Sequence, residues 1–93
     1  MPQVRIPTVL RKHTEGLAKV SADGATVGAV FEALIAQFPG LAGQLLDSGA
    51  VRGFINVYVD DEDIRYLDGL DSKVSADAEI AIMPAVAGGA GGR

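Results

Sequence analysis

Two hydrophobic periods alternate along this chain, and each change of period marks an element. From Gln3 to Leu10, Val4, Ile6, Thr8 and Leu10 share one face while Gln3, Arg5, Pro7 and Val9 share the other, the two-residue period of a strand. Pro7 has no N–H to give to a ladder, so an edge position or a bulge is expected there. The polar stretch Arg11–Gly16 predicts a turn and Leu17–Ser21 a returning strand, together a β-hairpin with a long loop. After the connector Ala22–Ala25, Thr26 is a fitting helix N-cap. Val27, Val30, Phe31, Leu34 and Phe38 then recur at helical spacing, which predicts one amphipathic helix stopped by Pro39-Gly40.

Leu41–Leu46 predicts a short second helical turn, and Asp47-Ser48-Gly49 a loop. Phe54–Val59 is rich in aromatic and β-branched residues and predicts a strand with Ile55, Val57 and Val59 on one face. A polar turn, Asp60–Asp63, leads to the short segment Ile64–Tyr66, read as a further short strand. Asp68-Gly69-Leu70 predicts another turn. Glu79–Met83 is the last strand, with Ile80 and Ile82 inward and Pro84 closing it. The order β-β-α-β-(β)-β predicts an α+β fold, a mixed sheet of about four to five strands on one main helix. With its first and last strands parallel at the sheet centre, this is the β-grasp (ubiquitin-like) arrangement.

Composition narrows the function classes. The 93 residues predict a single domain, because one core commonly serves about 50 to 200 residues. No cysteine is present, which excludes disulfides, thiolate zinc sites and cysteine nucleophiles. The net charge is −4, and the basic residues form no long run, which argues against nucleic acid. Met1–Arg5 leads into no apolar stretch of about 7–15 residues, and no apolar run nears the roughly 20 of a membrane span. A cytoplasmic protein without a membrane partner is expected.

Candidate catalytic residues find little support. His13 is the single histidine and reads as an exposed loop residue without metal partners. Asp60–Asp63 lacks the glycine of a calcium loop and reads as an exposed turn. Ser21, Ser48, Ser72 and Ser75 have no G-x-S-x-G context, and no phosphate-loop spacing occurs. The acidic stretch 60–71 is a candidate surface for steering a basic partner, with Phe54, Tyr58 or Tyr66 as apolar anchors. The ending Pro84-Ala85-Val86-Ala87-Gly88-Gly89-Ala90-Gly91-Gly92-Arg93 carries no large side chain after Val86 until Arg93. Such a tail can thread a narrow channel and set a backbone carbonyl against a catalytic group. A β-grasp domain over residues 1–84 with a flexible Gly-rich tail over 85–93 is therefore expected.

The segment Asn56-Val57-Tyr58-Val59-Asp60-Asp61-Glu62-Asp63-Ile64-Arg65, the Gly69-Leu70 turn, the opening Ile6–Arg11 with His13-Thr14, and the ending Pro84–Gly89 together resemble the ThiS/MoaD family of ubiquitin-like sulfur carriers. Within that family the chain looks most like the branch that supplies sulfur for cysteine biosynthesis. The resemblance covers essentially the whole chain up to Gly89. It implies a protein that is a substrate and not an enzyme. An E1-like adenylyltransferase and sulfurtransferase of the MoeB/MoeZ type would adenylate the terminal glycine carboxylate, consuming ATP, and sulfur would replace AMP to give a thiocarboxylate. In that branch a sulfur-accepting synthase uses the sulfur on O-phosphoserine, and a JAMM-type zinc metalloprotease releases the cysteine. No bound cofactor is implied, and a chain without cysteine has no internal thiol to attack its own activated carbonyl.

Carriers of this type end at Gly-Gly, whereas here Ala90-Gly91-Gly92-Arg93 follows. The expected mature terminus is Gly89, after cleavage between Gly89 and Ala90; the alternative is Gly92, with only Arg93 removed. Pro84, Ala85, Val86, Ala87 and Gly88 are the expected tail and partner-binding residues. Three roles stay open: a sulfur carrier for cysteine or for thiolation of a secondary metabolite, a ubiquitin-like modifier of lysines, and a MoaD-like small subunit of molybdopterin synthase.

Overall fold

Val4 and Ile80 lie side by side at the middle of the sheet, although they come from opposite ends of the chain. The computed structural model describes residues 1–47, 50, 51, 53 and 55–84. In it β1 (Gln3–Arg5) runs parallel to β7 (Glu79–Pro84), as expected, and antiparallel to β2 (Lys19–Ser21). On its other side β7 pairs antiparallel with β5 (Ile55–Val59), which pairs with β6 (Glu62–Asp63). The sheet order is thus β2-β1-β7-β5-β6. A separate two-stranded ladder joins β3 (Leu46–Asp47) to β4 (Ala50–Val51). The expected loop at 47–49 therefore begins inside a strand at Asp47, while Ser48 and Gly49 lie outside the described residues.

The main helix, α1 (Val27–Gln37), forms as its spacing predicts. Thr26 Oγ1 accepts the Ala29 N–H at 3.1 Å, which satisfies one of the donors left free in the first turn. The stripe Val27, Val30, Phe31 and Leu34 is fully buried and shares one core with Val4, Ile6, Val57, Ile80 and Ile82. Burying each such side chain contributes about 1.5–3 kcal/mol. Gly24 lies against the helix start; a Cβ there would stand 2.5 Å from the Val30 nitrogen, so no larger residue fits. Pro39–Leu41 form a 3-10 turn, and α2 (Ala42–Leu45) follows within the region expected to be helical.

Two expectations need correction. The strand read from Gln3 to Leu10 ends at Arg5, and Thr8–Thr14 form a 3-10 helix. Pro7 ends the ladder and its carbonyl accepts the Leu10 N–H at 2.9 Å, so it caps a helix and occupies neither an edge nor a bulge. Leu10 is buried by the helical route instead of the strand route. The extra short strand is Glu62–Asp63, and Ile64–Tyr66 are 3-10. Only Asp60 and Asp61 turn the chain, with φ of 48° and 74°, the paired positive values of a two-residue hairpin that Asp tolerates. Asp68-Gly69-Leu70 likewise tightens into a 3-10 turn over Gly69–Asp71.

Asp63 is buried, against the expectation of an exposed acidic turn, although the register sets it opposite half-buried Tyr58 and not on the core face of Val57 and Val59. Asp63 Oδ1 accepts the Arg65 N–H at 2.8 Å, and the Arg65 guanidinium reaches Oδ2 at 2.7 Å. The Arg65 side chain, then its backbone N–H, holds the carboxyl below its ordinary value. Arg65 itself is largely exposed, which keeps the pair modest in water.

Phe31→Ala is expected to lower the unfolding free energy by about 3–5 kcal/mol, and Thr26→Ala by about 1 kcal/mol, in urea titrations. A loss below about 1 kcal/mol at Phe31 would contradict its place in the core. Because the Asp63 carboxyl is depressed in the fold, its contribution is present above the unfolded value of about 4 and is lost as pH falls through the folded value. Asp63→Asn should therefore weaken the protein near neutral pH and flatten the acid limb of its stability curve. An acid limb as steep as that of the parent chain would show that the pair contributes nothing.

Candidate functional site

β7 is the element that carries the C-terminus outward, and it is held on both edges, by Gln3–Arg5 on one side and by Ile55–Val59 on the other. A strand paired on both sides cannot turn about its axis without breaking two ladders. The β1 ladder ends at Ala81, while the β5 ladder continues to the exposed Pro84, which stands opposite Ile55 and fixes where the strand ends. Ala85, Val86, Ala87, Gly88, Gly89, Ala90 and Gly92, expected as tail, terminus and cleavage site, lie outside the described residues. The structure thus places the origin of the tail at the end of a central strand.

Beside that exit is a groove of about 380 Å³. Buried Ile6 and Ile82 form its floor, and Arg5, Val9, Arg11, Lys19 and Met83 are among its lining residues. The sequence reading did not gather these residues, because they come from β1, the 3-10 helix, β2 and β7. Its only trace in the sequence is that four of the eight basic residues fall within the first twenty and that Arg5 and Val9 share one face of the expected first strand.

The other candidates separate. Asp60, Asp61 and Glu62 are exposed, but Asp63 is buried and pairs with the largely exposed Arg65. Tyr66 projects into solvent at 83% exposure, Tyr58 is half-buried, and Phe54 lies outside the described residues. His13 is half-buried in the 3-10 helix rather than in an open loop; a Cβ on Gly40 would meet its Nδ1 at 3.0 Å. Ser21 Oγ accepts from Gln3 Nε2, and buried Ser72 Oγ accepts the Asp68 N–H, so both bond within the fold. Ser75 is exposed, and Ser48 lies outside the described residues. Among the described residues no three His, Asp or Glu side chains gather to hold a metal, and no helix is long and apolar enough to cross a membrane. Together these features present a fixed strand exit and a protein-sized surface around it.

Comparison with known proteins agrees with that picture. The model of the ThiS family matches residues 4–89. The sulfur carrier protein CysO of Mycobacterium tuberculosis is 45% identical over 89 residues, covering 92% of this chain and 96% of that protein. Small archaeal modifier protein 3 of Haloferax volcanii is 37% identical over 67 residues, covering 72% of this chain and 73% of that protein. A crystal structure of an Amycolatopsis orientalis BexX/CysO complex matches with a TM-score of 0.90 and 42% identity, over 96% of this chain and all of that one. Proteins of this type are small carriers and not catalysts, as expected from the sequence. The chain belongs to the ThiS family, and its role is that of a sulfur carrier.

Proposed function

We propose that the carboxylate of a C-terminal glycine, Gly89 once residues 90–93 are removed, is the group that carries the sulfur. A carboxylate is a poor electrophile. Attack of its oxygen on the α-phosphate of ATP releases pyrophosphate and gives an acyl adenylate, and a sulfur nucleophile then displaces AMP to leave the thiocarboxylate. The E1-like enzyme of the MoeB/MoeZ type performs both steps and consumes the ATP; the carrier contributes a terminus on a rigid strand. A metalloprotease of the JAMM type removes the final four residues, and a sulfur-accepting synthase takes the sulfur for cysteine or for a thiolated secondary metabolite. The observation that carries this reading is the family match, which extends to Gly89 and leaves the last four residues beyond it. The Amycolatopsis structure, in which a CysO is seen in complex with BexX, supports the idea that a carrier of this shape docks on an enzyme.

A second reading is favoured by the likeness to an archaeal small modifier protein, namely attachment to lysine side chains through the same activated glycine. Mass spectrometry separates the two. Incubation with cell extract should shorten the chain to Gly89; loss of Arg93 alone would overturn Gly89 as the terminus. Adding the activating enzyme, ATP and a sulfur donor should then raise the mass by the difference between one sulfur and one oxygen. Formation of lysine-linked adducts without any thiocarboxylate would favour the modifier.

A further inference from the structure

Two aspartates stand directly before a glycine, Asp23 before Gly24 and Asp68 before Gly69, and both carboxyl groups are exposed. Glycine has no Cβ to shield its backbone nitrogen. That nitrogen can close a five-membered ring onto the carboxyl of the residue before it. The two pairs are alike in sequence and differ in geometry. Gly24 donates its N–H to Asp23 Oδ1 at 3.0 Å, so the nitrogen already lies against the carboxyl it would attack. Among the described residues no hydrogen bond joins the Asp68 carboxyl to the Gly69 N–H. Asp68 instead heads the 3-10 turn Gly69–Asp71, its N–H bonded to Ser72 Oγ and its carbonyl to the Asp71 N–H.

The fold also keeps position 24 a glycine. A Cβ there would stand 2.5 Å from the Val30 nitrogen and 2.8 Å from the Ala29 carbonyl carbon, so no shielding side chain fits. Residues 22–24 belong to no helix or strand, while both ends of the connector are tied down. The Ala22 N–H reaches the Pro2 carbonyl at 3.1 Å, and the Ala25 carbonyl accepts the Val74 N–H at 3.0 Å.

We propose that Asp23 is a site of backbone rearrangement to isoaspartate, and that Asp68 is not. The Gly24 nitrogen attacks Asp23 Cγ, a C–N bond forms, and the nitrogen's proton leaves with a carboxyl oxygen as water. Water then adds to the main-chain carbonyl carbon of the cyclic imide, and the original peptide C–N bond breaks. The chain now runs through Cβ, and a free α-carboxylate projects from residue 23. One water is lost and one regained, so no oxidant or reductant is needed. The extra backbone carbon falls where Gly24 packs on Ala29 and Val30, just before the Thr26 cap, and strains the start of α1. The exposed α-carboxylate is the group that an S-adenosylmethionine-dependent isoaspartyl methyltransferase esterifies, which makes such an enzyme the fitting partner. The reaction uses only the chain and water, so it is independent of the carrier reading.

The test ages the folded full chain at neutral pH, with a sample unfolded in urea beside it. Isoaspartate is located by electron-transfer fragmentation and counted by methyl transfer from S-adenosylmethionine with purified isoaspartyl methyltransferase. In the folded chain Asp23 should convert about tenfold faster than Asp68, because only its reacting groups are held together. In urea the two should convert at similar rates. Asp23→Glu, which would need a larger ring, should remove most of the methyl acceptor without disturbing an exposed position. The aged fraction should melt about 5 °C below the fresh chain. Equal conversion at the two sites in the folded chain, or faster conversion at Asp68, would overturn the proposal. So would a folded chain that stays unmodified at Asp23 while the urea sample converts, or an Asp23→Glu chain that accepts methyl groups as the parent does.

Discussion

Parallel strands cannot be joined by a tight turn, so the pairing of β1 with β7 obliges everything between them to serve as one long crossover. The hairpin β1–β2 leaves on one side, α1 covers the core, and β5 returns to close the far edge of β7. Both ladders on β7 would be lost together if that strand moved. The consequence for function is mechanical. The described chain ends at Pro84, on the strand that pairs with both β1 and β5, so the point from which residues 85–93 start is set by the fold.

The same topology sorts the charges. β2 stands at one edge of the sheet and β6 at the other, so Lys19 is set apart from Glu62, while Asp60 bonds the Glu79 N–H at the start of β7 between them. Of the acidic run, Asp63 is used within the fold, where it caps the Ile64–Tyr66 turn and binds Arg65. An acidic protein thus has a basic, partly apolar surface beside the end of β7.

Much of this was legible from local pattern. The stripe on α1, the alternation of Ile55, Val57 and Val59, and the inward Ile80 and Ile82 each followed from one element burying one face. The stretch Gln3–Leu10 misled because a strand and a short 3-10 helix can both bury Val4, Ile6 and Leu10. Pro7, lacking an N–H, decides between them only when its carbonyl finds the Leu10 donor. Asp63 departs from the pattern for a related reason: its neighbours form a solvated run, whereas its own carboxylate accepts the Arg65 N–H and guanidinium and is covered. His13 has no local pattern that marks it as packed, and it is the turn at Pro39–Leu41, distant in sequence, that lies beside it.

The sequence by itself determined the main helix, the strands around Ile55–Val59 and Glu79–Met83, the family resemblance and the Gly-Gly ending, since periodicity and short motifs are local properties. Tertiary structure alone decided the exit direction of β7 and the company of Arg5, Val9, Arg11 and Met83. Arg5, Val9 and Arg11 are near neighbours in the chain, but Met83 comes from its far end, and no spacing rule relates it to them. They meet because sheet register and the β1–β7 pairing bring them together, and long-range pairing is invisible to any window of sequence.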